Sequence, residues 1–352
     1  MTYFDNKDSF KHQVLKKSPS NIALIKYMGK LPGTKNLPAN PSLSYTLKNL
    51  TTSVAVNKNI TITKSAAKIT DKDTSTFNLC QDQWKPLDSK LKLTKKSQER
   101  FLKHWSYLKK YFNIKGSYTI LSSNNFPASC GLASSASSFS ALTKAAYQIS
   151  LDNGKSKLKL VDLANLSRAG SGSSCRSLFL NWAEWDGSDV KDLPVHKDYI
   201  NLNHNVLLVS TNTKKVSSSE AHSRVLEHSD FNNRVKRSKQ RFVKLKNLLT
   251  KPNQFLAIKD LVWNEFIDMH QLFETCPKPF SYFTPVVKDI LKDLSYFITE
   301  QKINLLVTMD AGPNIHLLYP KKEEDKIKIY LYKLTKKYKL TDLGTFNKNT
   351  NV

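Results

Sequence analysis

Apolar residues recur along this chain with two different periods. Ala136, Phe139, Leu142, Ala146 and Ile149 lie three or four apart, which places them on one face of a helix. The same period predicts a helix over 97–112, where Phe101, Trp105, Leu108 and Phe112 share a face. It also predicts a basic helix lined on one side by Phe231, Val235, Phe242, Leu245 and Leu248. Further helices are expected near 162–167, 255–270, 285–297 and 327–334. Strands are predicted where β-branched and aromatic runs sit between turn residues. These are NIALIKYMGK at 21–30, LPANPSLSYTL at 37–47, then LTTSVAV, NITITK and AAKIT as a meander of short strands. GSYTIL, NVLLVS and LLVTMDAGPNIHLLY follow, the last being two strands broken by Asp-Ala-Gly-Pro. KKVSSSEAHSRV reads as a polar loop.

Sheet dominates the early third, and helices mixed with antiparallel-type strands fill the second half, so the expected class is α+β. WAEWDGSDVKDLPVHKD is acidic and turn-rich, and a fresh buried strand begins after it. The chain is therefore divided into 1–197 and 198–352. At 352 residues and 39% apolar content it is long enough for two folded cores. No segment approaches the apolar length needed to cross a bilayer, and the charged N-terminus is followed by no apolar run, so the expectation is a soluble cytoplasmic protein. Cys80, Cys130, Cys175 and Cys276 are far apart with no zinc spacing and read as reduced packing residues. The formal charge of +26, from 55 Lys and Arg against 29 Asp and Glu, raises the prior for an anionic partner. The lysines are dispersed, however, and no nucleic-acid motif accompanies them, so a solvated basic surface is favoured over nucleic-acid binding.

In 124–149, NNFPASCGLASSASSFSALTKAAYQI, a small hydroxylated loop runs into a helix. Ser134, Ser135 and Ser137 stand where the first helical N–H groups have no partner and the dipole is positive, a ready phosphate site. Taken alone, the stretch is better read as a serine-capped helix packed in a core. Three more polar islands interrupt apolar runs, at 21–30, 171–176 and 309–314. Together they offer one carboxylate (Asp310), two lysines (Lys26, Lys30), an arginine (Arg176) and hydroxyls (Ser135, Ser171, Ser173), the inventory of phosphoryl transfer. Singly, each has a structural alternative: a strand-edge lysine, an ion-pair arginine, a turn-forming aspartate. There is no Walker A sequence, and the second Gly/Ser loop is no dinucleotide fingerprint, because Cys175 stands where its last glycine belongs.

NIALIKYMGK, LPANPSLSYTL, NNFPASCGLASSAS, GSGSSCRSLF and MDAGPNIHLL, in this order from 21 to 318, resemble the signature blocks of the diphosphomevalonate decarboxylase family within the GHMP kinase superfamily. The resemblance implies a two-domain GHMP kinase fold: an N-terminal domain like domain 2 of ribosomal protein S5 and a ferredoxin-like C-terminal domain, with the site between them. It implies ATP-dependent decarboxylation of mevalonate 5-diphosphate to isopentenyl diphosphate, with Mg2+, in a homodimer. By match to the family's motifs, Asp310 orients or deprotonates the 3-hydroxyl, Lys26 stands beside it, Arg176 grips the substrate carboxylate and Asn21 helps hold both. Tyr27, Lys30, Ser171, Ser173 and Ser218 fall on substrate contacts. Ser129, Gly131, Leu132, Ala133, Ser134, Ser135 and Ser137 fall on ATP, with Ser135 also near Mg2+. Met28, Pro41 and the Ala221-His222 pair depart from the family's usual Trp, Ser or Asn, and Gly-Met. The alternatives are a 5-phosphate decarboxylase or 3-kinase of the same fold, and, from another class, a catalytically retired basic RNA-binding protein.

Overall fold

The computed structural model describes residues 13–31, 33–34, 36–59, 81–89, 91–127, 134–187, 189–210 and 215–344. The first half is built from β1 (Gln13–Ile25), β2 (Ser42–Lys58), β3 (Gln83–Pro86), α1 (Lys95–Phe112), β4 (Tyr118–Asn124), α2 (Ser134–Asp152), α3 (Leu160–Gly170), β5 (Trp182–Asp186) and β6 (Asp189–Asp192). Its sheet runs β3-β4-β2-β5-β6, with β1 also paired to β2; among the described residues only β3 and β4 are parallel neighbours. The second half adds β7 (Leu202–Leu208), α4 (Ser218–Arg224), α5 (Phe231–Leu249), α6 (Phe255–Thr275), α7 (Pro285–Glu300), β8 (Leu306–Met309), β9 (Ile315–Pro320), α8 (Glu324–Tyr338) and β10 (Thr341–Gly344). Its antiparallel sheet runs β10-β7-β9-β8.

Burial along β1 explains how the halves meet. Residues 13–17 alternate between exposed and half-buried, whereas Ser20–Ile25 are buried on both faces. Strand alternation sends Ile22 and Leu24 into one apolar core and Asn21 and Ala23 to the opposite face. That core is shared: Ile22, Leu24, Leu43 and Tyr45 pack with Leu202, Val206, Leu245, Ile258 and Val262 of the second half. A register shift between Ala23 and Ile25 returns Ile25 to the same core and turns the chain outward at Lys26. A second core lies between α1, α2, α3 and the first sheet, around Trp105, Leu142 and Trp185. A third joins α7 and α8 to the second sheet through Leu207, Val307 and Leu317.

Several elements differ from the sequence expectation. The segments at 42–47 and 50–56 form one 17-residue strand, β2, because it is the central strand on which β1, β4 and β5 all pair. NITITK and AAKIT fall at 59–70, almost wholly outside the described residues. The acidic stretch after Asn181 begins as the hairpin β5–β6, since Trp182 and Trp185 are buried on opposite faces. KKVSSSEAHSRV is not all loop: Ser217 Oγ accepts from Glu220 N at 3.2 Å and starts α4. The buried face of α5 carries Arg234 and Ser238 along with Phe242, Leu245 and Leu249, so the apolar side is displaced from the one expected. Among the described residues, no helix is long and apolar enough to cross a membrane.

Candidate active site

A cavity of about 210 Å³ lies where β1 ends, between α2, the turn after α3, α4 and the end of β8. Among its lining residues are Asn21, Lys26, Tyr27, Arg176, Asp310 and Ser135.

Lys26 occupies the first position after β1. Its side chain is buried and its Nζ donates to Asp310 Oδ1 at 2.8 Å, joining residues 284 apart in sequence. Its backbone is held on both sides: Lys26 N–H donates to Glu265 Oε1 at 2.9 Å, and Asn40 Nδ2 donates to Lys26 O at 2.9 Å. Glu265, wholly buried on α6, also accepts from Arg234 at 2.6 Å and Arg241 at 3.0 Å. Those contacts explain the polar buried face of α5. Burial pulls the Lys26 ammonium below its ordinary pKa, and the Asp310 carboxylate opposes the shift. Asp310 follows β8 in a turn where His270 Nε2–H donates to its carbonyl at 3.2 Å. Burial, and Lys26 second, hold His270 down at about 3, so that ring is neutral. Oδ2 of Asp310 has no protein donor among the described residues.

Arg176 sits in a 3-10 helix, Gly172–Leu178, that follows α3. It is 2% exposed, yet forms no salt bridge among the described residues. Its Nε donates to Ser44 Oγ at 3.0 Å and its Nη1 to Ser42 Oγ at 2.5 Å, both on β2, and the guanidinium lies 5.5 Å from the Trp185 ring centroid. Nη2 is left without a protein acceptor among the described residues. Asn21 Nδ2 donates to Ser173 O at 3.0 Å and Ser177 Oγ at 2.7 Å, while its Oδ1 is buried with no partner. The Tyr27 hydroxyl is likewise buried without one. Gly172 lies so close to the Tyr27 ring that a Cβ there would meet it at 2.7 Å, so only glycine allows this approach. Such unsatisfied groups in a cavity are what a polar ligand would complete.

Ser134 and Ser135 begin α2 and line the same cavity, and Ser171 Oγ donates to Ser135 Oγ at 3.2 Å. Ser173, Lys30 and Ser218 also line it. Ser137 is placed elsewhere: its wholly buried hydroxyl bonds to Thr52 Oγ1 at 2.6 Å, under the helix and against β2. Ser129, Gly131, Leu132 and Ala133 lie outside the described residues. Two titratable lining residues were not singled out from sequence as contacts. Arg100 on α1 donates to Gly170 O at 2.7 Å, and its codeless setting in a lysine-rich helix hides it. His222 on α4 was visible only as a departure from the family's pattern. Cys175, wholly buried with its thiol pushed up to about 11, is a packing residue as expected.

Comparison with known proteins adds the family. Residues 18–196 match the model described as diphosphomevalonate decarboxylase-like N-terminal domain, and residues 205–351 match the mevalonate 5-diphosphate decarboxylase C-terminal domain. The chain is 29% identical over 335 residues to diphosphomevalonate decarboxylase of Candida albicans, covering 90% of this chain and 86% of that protein. A crystal structure of a mevalonate diphosphate decarboxylase from Legionella pneumophila superposes with a TM-score of 0.80 at 38% identity, covering 94% of this chain and all of that one. MDDEF in complex with MVAPP, AMPPCP and magnesium matches with a TM-score of 0.78 at 26% identity, covering 94% and 96%. With both halves matched in order, the chain has the GHMP kinase fold and belongs to the diphosphomevalonate decarboxylase family.

Proposed function

We propose that this protein catalyses the ATP-dependent decarboxylation of mevalonate 5-diphosphate to isopentenyl diphosphate, releasing ADP, phosphate and CO2. The observation that carries this reading is the pairing of Lys26 with Asp310 at 2.8 Å in one cavity with the buried, salt-bridge-free Arg176. Asp310 Oδ2 is the free acceptor for the substrate's tertiary 3-hydroxyl, and Lys26 on Oδ1 keeps the carboxylate oriented. A carboxylate is a weak base for an alcohol, so orientation and charge contribute more than early proton removal. The hydroxyl oxygen attacks the γ-phosphorus as the bond to ADP breaks, and its proton passes to Asp310 Oδ2 late in that step. Phosphate then leaves with its C–O electron pair, and the electrons of the C–C bond to the carboxylate form the new double bond as CO2 departs. Arg176 Nη2 holds that carboxylate in place before the bond breaks, with Asn21 beside it. Arginine suits the role because its planar fork can bond Ser42, Ser44 and a ligand at once.

The residues at the start of α2 fit ATP and Mg2+. Ser134 and Ser135 present hydroxyls beside unpaired helix N–H groups, and among the described residues no cluster of three or more His, Cys, Asp or Glu would form a protein metal cage. A Mg2+ ion held mainly by phosphate oxygens and water, with Ser135 in reach, agrees with that donor set. When bound, it neutralises charge on the transferring phosphoryl group. The division at 197/198 is supported by the two sheets, and a cytoplasmic setting by the unpaired, buried Cys175 and Cys276. A homodimer is what the family resemblance implies.

The direct test offers mevalonate, its 5-phosphate and its 5-diphosphate side by side with ATP while ADP and CO2 are followed. Release of both products with the 5-diphosphate alone is expected; ADP without CO2 from any of them would mean a 3-kinase. A pH prediction follows from Lys30, whose pKa burial, with Arg100 second, lowers from 10.5 to about 8. Its ammonium is present below that value and lost above it. With phosphate as its partner, kcat/KM should be level at neutral pH and fall as pH rises through about 8, because this ratio reports the free enzyme. The break in kcat should lie higher, since bound phosphate favours the charged form. A kcat/KM profile still level one unit higher would remove Lys30 from the substrate contacts.

A further inference from the structure

His222 is a donor without an acceptor inside the site. The residue is 8% exposed on α4, and its ring lies against Tyr27 with centroids 4.4 Å apart. Gly29 N–H donates to its Nδ1 at 3.0 Å. Gly29 itself is fixed there by φ +85° and by Phe231, which a Cβ would meet at 2.4 Å. A ring nitrogen that accepts a hydrogen bond carries no proton, so the neutral imidazole must carry its proton on Nε2. Burial, with the Lys30 charge second, keeps the ring's pKa at about 3 and the tautomer fixed. Among the described residues nothing accepts from Nε2, and the side chain lines the cavity. Nε2 opens to the cavity, so its N–H is available to an acceptor on a ligand bound there.

The charges around the cavity indicate which part of a ligand comes there. Lys26 is already matched by Asp310. Lys30 and Arg100, which also line the cavity, form no salt bridge with any described residue, and it is Lys30 whose charge acts on His222. Two unmatched cations beside a directed neutral N–H suit a polyanion of acceptor-only oxygens. A third cation at His222 would repel Lys30, whereas a neutral donor adds a hydrogen bond without that penalty.

We propose that His222 is a substrate-binding residue whose Nε2–H donates to a phosphate oxygen at the end of the substrate away from Asp310, a contact that the methionine usual at this position in the family cannot make. This rests on the proposed function for the identity of the substrate, but the phosphate contact can be measured apart from turnover. Titration calorimetry with inorganic diphosphate is done on the wild type, His222→Met, which keeps apolar bulk, and His222→Gln, which keeps an N–H donor. KM and kcat for mevalonate 5-diphosphate are measured on the same three proteins.

His222→Met should weaken diphosphate binding about tenfold or more, the loss expected of one charge-assisted hydrogen bond, and raise KM more than it lowers kcat. His222→Gln should recover most of the affinity, and KM for mevalonate 5-diphosphate should follow the same order across the three proteins. Unchanged diphosphate binding in His222→Met, or equal losses in Met and Gln variants, would overturn the proposal and leave the ring as packing for Tyr27. Should the Met variant fail to fold, 15N-histidine NMR of the wild type decides: a ring N–H signal must shift on adding diphosphate, and no shift refutes the contact. Wild-type diphosphate binding through His222 without decarboxylation would sink the proposed function and leave this contact standing.

Discussion

Asp310→Ala is expected to lower kcat by about 10²–10⁴-fold, the range for a positioned acid or base, while ATP and substrate still bind. The mutation removes a carboxylate that is bonded to Lys26 and whose charge also reaches Arg176. It also leaves Lys26, with its side chain 2% exposed, as a buried ammonium without its partner. Removing one member of a buried pair can cost several kcal/mol, but Asp310 is itself 27% exposed, so solvent softens the loss. Lys26 can also shed its proton, because burial already pulls its pKa down. Asp310→Asn separates the effects, since it keeps the shape and removes the charge. Melting curves close to wild type together with collapsed turnover in both variants are the expected result. Turnover near wild type in either would exclude Asp310 from the chemistry.

Arg176→Lys carries the second large effect. The guanidinium is bound by Ser44 and Ser42 on one side and free at Nη2 on the other, with the Trp185 ring beside it. An ammonium cannot span these positions at once, so the substrate carboxylate loses a charge-assisted contact of about 1.5–3 kcal/mol, roughly 10–100-fold in affinity. The loss should appear as raised KM for the mevalonate substrate and slowed CO2 release, with ATP affinity little altered. Equal losses toward ATP and the mevalonate substrate would show that Arg176 serves the fold instead. The lysine variant is preferred to alanine, which would leave Ser42 and Ser44 with unmet hydroxyls in a buried space.

Elements with their own internal period were legible from sequence. α2 was marked by Ala136, Phe139, Leu142 and Ala146, all buried, and α7 by a periodic stretch whose start Thr284 caps and Pro285 occupies. Elements that depend on distant partners were not. The buried polar face of α5 exists because Glu265 and Asp268 arrive from α6 to meet Arg234, Arg237 and Arg241. No local pattern in α5 encodes that. β2 reads as separate strands because Lys48 and Asn49 break its apolar run, yet the strand continues through them.

The site was legible as four polar islands, and the structure brings Asn21, Lys26, Ser135, Ser171, Arg176 and Asp310 to one cavity. Ser137 shares the composition of its neighbours but, two positions after Ser135, turns about 200° around the helix and faces Thr52. His222 and Arg100 could not be weighed from sequence, since only the tertiary fold brings α4 and α1 to the end of β1.

In the proposed reaction, phosphorylation and loss of CO2 are coupled on one substrate in this cavity. The most direct measurement incubates the protein with 1-14C-mevalonate 5-diphosphate, ATP and Mg2+, and counts ADP, phosphate and labelled CO2 in the same reaction. Equal amounts of the three are expected, all formed about 10²–10⁴-fold more slowly in Asp310→Ala. ADP accumulating without labelled CO2, or labelled CO2 released without ATP, would contradict that coupling.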